Sequence, residues 1–80
     1  VFSMTIPAKL QTYLMTGIPI VGMLDGEGAK IIEESNAGIC CGASDSIGLA
    51  AAIMKISQLT KSQSDMLGEN GIKYFRRKSD

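Results

Sequence analysis

Eighty residues with eight Lys+Arg, eight Asp+Glu and no histidine make one small domain at most, with no net charge. Length excludes a whole multidomain enzyme within these residues, composition excludes a histidine-based triad, and the charge balance excludes any overall attraction to nucleic acid. Hydrophobic residues at 45% and charged residues at 20% are the proportions of a chain that packs a core.

The apolar runs are short. Ile18 to Leu24 is broken by Pro19 and Gly22, and none nears the roughly 20 residues that cross a bilayer. Val1 opens the chain with neither methionine nor a basic leader, and the expectation is a segment cut from a longer gene product without a secretion signal. Pro7 suits a first helical turn, and Ile6, Leu10 and Leu14 recur at helical spacing until Gly17, which predicts a helix over residues 7 to 16. Ile20 to Leu24 is an apolar run without alternation, the mark of a strand covered on both faces and so of a parallel sheet.

Asp25-Gly26-Glu27-Gly28 reads as a turn, and Ala29 and Ile32 with Lys30, Glu33 and Glu34 predict a short amphipathic helix ending near Asn36. Gly38-Ile39-Cys40-Cys41 is the next strand. Strand, helix and strand make a βαβ unit, so the fold class is α/β. Ser44-Asp45 can cap a helix on which Leu49, Ala52, Ile53, Ile56 and Leu59 form one apolar stripe. A polar bend over Ser57 to Ser64 then leads to a last helix with Leu67, Gly71 and Tyr74 on a shared face. Gly68 and Gly71 each weaken that helix by about 1 kcal/mol relative to alanine.

Two short strands leave sheet edges unpaired, and a chain of this length buries only about 60% of its unfolded surface. The expectation is therefore an incomplete domain over residues 1–80, finishing a larger parallel sheet whose other strands precede Val1.

Few residues can carry chemistry. Cys40 and Cys41 read best as a pair on a buried strand, one side chain to each face, in a reducing compartment, and they supply no tetrahedral zinc set. Gly26-Glu27-Gly28 has the first two positions of a dinucleotide fingerprint, but Ile31 stands where the third glycine belongs, and Asp45 lies where a ribose-binding acid is sought. An ordinary strand-to-helix turn is the better account. Met4 and Met15 read as core residues. Lys73, Arg76, Arg77 and Lys78 read as a solvated helix end set against the dipole, with anionic lipid headgroups as the rival account.

The run Ile6-Pro7-Ala8-Lys9-Leu10-Gln11-Thr12-Tyr13-Leu14-Met15-Thr16-Gly17-Ile18-Pro19-Ile20-Val21 closely resembles a stretch near the C-terminal end of group 1 bacterial glycosyltransferases. Gly38-Ile39, the alanine-rich helix, Asn70-Gly71 and Tyr74-Phe75 follow in that family's order, so the resemblance covers most of the chain. Within the family it looks closest to the L-fucosamine (N-acetyl-fucosamine) transferases of O-antigen clusters in lipopolysaccharide biosynthesis.

The resemblance implies a two-domain GT-B enzyme whose C-terminal, Rossmann-like domain holds a nucleotide-sugar donor. This chain would be the C-terminal part of that donor-binding domain, a partial parallel sheet inactive alone. A lipid-linked saccharide acceptor would bind through the missing domain, at the cytoplasmic face of the inner membrane, with peripheral membrane contact. No obligatory metal and no cofactor beyond the donor substrate are implied, nor any nucleic-acid partner.

The family's site carries two glutamates. Counting back from Gly17-Ile18-Pro19 places Met4 and Thr12 at their positions, and neither is acidic. Thr12 can still hydrogen-bond a ribose hydroxyl, less strongly than a carboxylate, whereas Met4 cannot replace an ionised group near the sugar. Lys9 and the amides of Ala8 and Lys9, in a helix's first turn, are placed to neutralise a departing diphosphate. The donor-binding candidates are thus Met4, Ala8, Lys9 and Thr12, and the catalytic residues are unassigned. Two rivals stay open: a nucleotide-sugar 2-epimerase of the same architecture, and a small non-catalytic nucleotide-binding or interaction module that self-associates through its sheet edge.

Overall fold

The computed structural model describes residues 2–4 and 10–79. In chain order its elements are β1 (Phe2–Met4), α1 (Leu10–Met15), β2 (Ile20–Met23), α2 (Glu27–Ser35), β3 (Gly38–Cys41), α3 (Ser46–Ser57) and α4 (Lys61–Ser79). The strands form one parallel sheet in the order β1-β2-β3, with Phe2 beside Ile20 and Ile20 beside Gly38. The fold is α/β.

One expectation needs correcting at once. Residues 2–4 form a third strand where only two were expected, so one neighbour of β2 lies inside the chain and does not precede it. Three residues are too few to show a period, and pairing with β2 is what makes them a strand. The helix predicted from residue 7 is observed from Leu10 onward, and Pro7, Ala8 and Lys9 lie outside the described residues.

The order 1-2-3 has a consequence for layering. Successive crossovers of one hand place their helices on the same face. Accordingly, Leu10 and Leu14 of α1 and Ile32 of α2 share one cluster with Ile20, Leu24, Ala37 and Tyr74. Val21 points the other way and packs with Ala52 and Ile56 of α3. Both faces of β2 are covered, as its unbroken apolar run requires, and Ile20 and Val21 have no exposed surface.

Local chemistry sets the helix ends. Asn36 closes α2 in the left-handed region (φ 54°), and the buried Ser35 hydroxyl donates to Ile32 O at 3.0 Å while accepting from Ala37 N at 3.3 Å. At the start of α4, Thr60 and Gln63 form a reciprocal capping box: Gln63 N donates to Thr60 Oγ1 at 3.1 Å and Thr60 N to Gln63 Oε1 at 3.0 Å.

Three further expectations are altered. Met15, expected in the core, is 56% exposed, because the single turn and a half of α1 already directs Leu10 and Leu14 inward. The side chain of Met4 lies outside the described residues. On α3, Ala52 and Ile56 are buried, but Ile53 is 42% exposed. A helix lying on so narrow a sheet touches it along one line, and the residue after Ala52 is turned about 100° away from it.

The shared face expected of Leu67, Gly71 and Tyr74 is divided between the two cores. Leu67 packs with the α3 cluster and Tyr74 with the other. Helix α4 thus passes across the N-terminal edge of the sheet, where Gly68 lies against the Gly17 carbonyl with no room for a Cβ. That glycine weakens the helix as a helix but permits its backbone to approach the turn after α1 closely.

Candidate functional site

Parallel strands bring their C-terminal ends to one edge, and in open α/β sheets ligands bind outside that edge. Here it receives the end of β1 at Met4, the connection Leu24-Asp25-Gly26 after β2, and Gly42 to Asp45 after β3. The ladder runs on past β2 through Leu24 N to Cys41 O at 3.0 Å. Asp25 ties the second and third connections together, its Oδ1 accepting from Ala43 N at 3.3 Å.

Gly26 precedes α2 at φ 77° and ψ −145°, a conformation open only to glycine in practice. Among the described residues no side chain caps this helix at its first amides, which lie at the same edge. Gly28 is a buried residue in the first turn of α2. Asp45 is engaged otherwise than as a ribose-binding acid: it caps α3, with Oδ1 accepting from Gly48 N at 2.9 Å.

No protein-family model, curated protein or solved structure matches this chain.

Of the four donor-binding candidates, Met4 ends β1 at this edge, and Thr12 is an exposed residue of α1. Ala8 and Lys9 fall outside the described residues, in the connection between those two elements. Cys40 and Cys41 take opposite faces as expected, but both are half-exposed, because β3 is an outer strand of the described sheet. Cys40 packs with the α1 and α2 cluster and its Sγ–H donates to Leu24 O at 3.5 Å, whereas Cys41 donates to Gly22 O at 3.5 Å.

Burial pushes the Cys40 thiol above its usual range, with the Leu24 bond opposing and the charges of Cys41, Glu33 and Asp25 adding to it. Among the described residues no group of three or more acidic, cysteine or histidine side chains could hold a metal ion. No described helix is long and apolar enough to cross a membrane.

The basic residues at the end of α4 do more than face solvent. Arg77 and Lys78 lie over the Tyr74 ring, 5.8 and 5.5 Å from its centroid, and the Tyr74 hydroxyl donates to Glu34 Oε2 at 3.1 Å. Burial, reinforced by the bond to Glu34 and its charge, raises the Tyr74 phenol above its ordinary value. The sequence signal for this surface was four cations within residues 73–78. The bond of Tyr74 to Glu34 on α2 joins residues forty positions apart and leaves no local trace.

Proposed function

We propose that this chain is part of the nucleotide-sugar-binding domain of a GT-B glycosyltransferase that moves a sugar, N-acetyl-L-fucosamine on the resemblance, to a lipid-linked acceptor in O-antigen assembly. One observation carries the reading: a three-stranded parallel sheet at whose C-terminal edge the Gly26 turn opens into α2, beside the end of β1 and the connection after β3. In this reading the Lys9 ammonium and the amides of Ala8 and Lys9 hold the diphosphate, and Thr12 binds the ribose through its hydroxyl. Met4 lines the sugar end without charge. Accumulating negative charge on a leaving diphosphate is what such fixed donors stabilise. The acceptor would bind on a domain outside these residues, so the isolated chain transfers no sugar.

A nucleotide titration of the ¹⁵N-labelled chain tests this reading. UDP and GDP should shift the amides of residues 4–12 and 26–29, and Lys9→Ala should weaken that response about tenfold. Unmoved amides at that edge at millimolar nucleotide would remove the assignment. In the parent enzyme, Lys9→Ala should lower kcat/KM for the donor.

A further inference from the structure

The geometry points to a second anion site, a groove between the C-terminal end of α2 and the C-terminal half of α4 that binds a phosphate ester. It lies at the N-terminal edge of the sheet, opposite the edge discussed above, and does not rest on the donor-site reading. The groove encloses about 610 Å³. Its floor is a clasp between the two helices, in which Asn70 Nδ2 donates to Asn36 O at 3.0 Å. Lys73, Arg76 and Arg77 line it from α4, with Glu34 and the end of α2 facing them.

Charge makes this more than a helix end favourably placed against its dipole. The chain is neutral overall, yet four of its eight cations fall within residues 73–78. Among the described residues that line the groove, three of these against one carboxylate leave a net charge of +2. Glu34 is already accepting from Tyr74, and the one ion pair among the described residues is Lys61 with Asp65, at the far end of α4. Lys73, Arg76 and Arg77 therefore have no carboxylate partner among the described residues, while Arg77 is held over the Tyr74 ring.

Guanidinium forks match phosphate oxygens in planar pairs, and an ammonium beside them adds a point charge. A bare phosphate would fill little of such a groove, so the fitting ligand carries an organic group on its phosphate. A soluble phosphate ester and a phospholipid headgroup share that chemistry.

Two probes separate the sources: glycerol 3-phosphate in solution, and vesicles of phosphatidylglycerol mixed with phosphatidylcholine, read against phosphatidylcholine alone. Glycerol 3-phosphate should shift the amides of residues 35–37 and 70–77. The exposed pair Lys73→Gln/Arg76→Gln should weaken that binding about tenfold or more, while Lys30→Gln/Lys55→Gln, with the same loss of charge elsewhere, should not. Binding to the anionic vesicles that is lost in the first variant and kept in the second names a lipid headgroup as the source. Glycerol 3-phosphate binding without vesicle binding names a soluble ester. If neither probe binds, or if both variants lose binding equally, the groove is not a site and the proposal falls. Both variants change exposed side chains, and unaltered amide spectra without ligand would establish that they fold.

Discussion

The two faces of the sheet are built to different depths. On the face of α1 and α2, seven buried residues from six segments interlock, and Ile32 has no exposed surface at all. On the α3 face three residues are buried, and the helix that supplies two of them leaves Ile47, Ile53 and Met54 at 83%, 42% and 59% exposure. A helix apolar on most sides normally lies within a larger core, whereas α2, with charge on its outer surface, is finished as a surface helix. The difference teaches that stability and unsatisfied apolar surface sit on opposite sides of one strand, β2.

One test of that division breaks a backbone contact, Gly68→Ala. Alanine is the better helix former by about 1 kcal/mol, but its Cβ would run into the Gly17 carbonyl, and backbone has little room to yield. The expected result is net destabilisation of about 2 kcal/mol or more and detachment of α4, seen as lost amide protection at Leu14 and Tyr74. A more stable variant would refute the close approach of α4 to the Gly17 turn.

Cavity substitutions on either side come next. Ile32→Ala should cost about 3–4 kcal/mol, and Ile56→Ala, at 8% exposure beneath a thinner layer, about 2 kcal/mol, both read from urea midpoints. Equal losses would mean that the two faces are equally packed. Asp45→Ala removes the α3 cap and should cost about 1 kcal/mol.

A pH dependence sharpens the comparison further, because Tyr74 belongs to the deeper face. Its phenol is raised in the folded chain, so the folded state holds its proton more tightly than the unfolded one. Stability is then fully present below the ordinary phenol value of about 10 and falls as pH rises through it toward the folded value. The high-pH loss should be smaller in Tyr74→Phe, and an identical profile in the variant would show that Tyr74 is not responsible. The smallest effect is expected at Ile47→Ser, within about 0.5 kcal/mol, since that side chain is already in water.

Much of the architecture is legible along the chain because it is written at short range. The unbroken apolar run at Ile20 signals a strand covered on both faces, Asn36 marks a helix end, and Asp45 supplies the next cap. The pair Thr60 and Gln63 was equally legible, as a hydroxyl and an amide three positions apart, and would have placed the start of α4. β1 was not legible, since three residues carry no period. Nor were the exposure of Ile53 and Met15, which depends on how much surface each helix finds opposite it. The candidate edge could be anticipated from strand direction alone, but the groove beside α4 could not.

By itself, then, the sequence determined the order of elements from α1 onward, the α/β class and the helix caps, all products of interactions among residues within about four positions of one another. Tertiary structure alone decided that Phe2–Met4 is a strand, that Gly68 is a point of contact with the turn after α1, and that Leu67 and Tyr74 serve different cores. It also joined Asn36 to Asn70, and Glu34 to Tyr74. The physical reason is the same throughout: these outcomes depend on which surfaces meet after the chain has folded back on itself, and local propensity carries no information about a partner thirty or forty residues away.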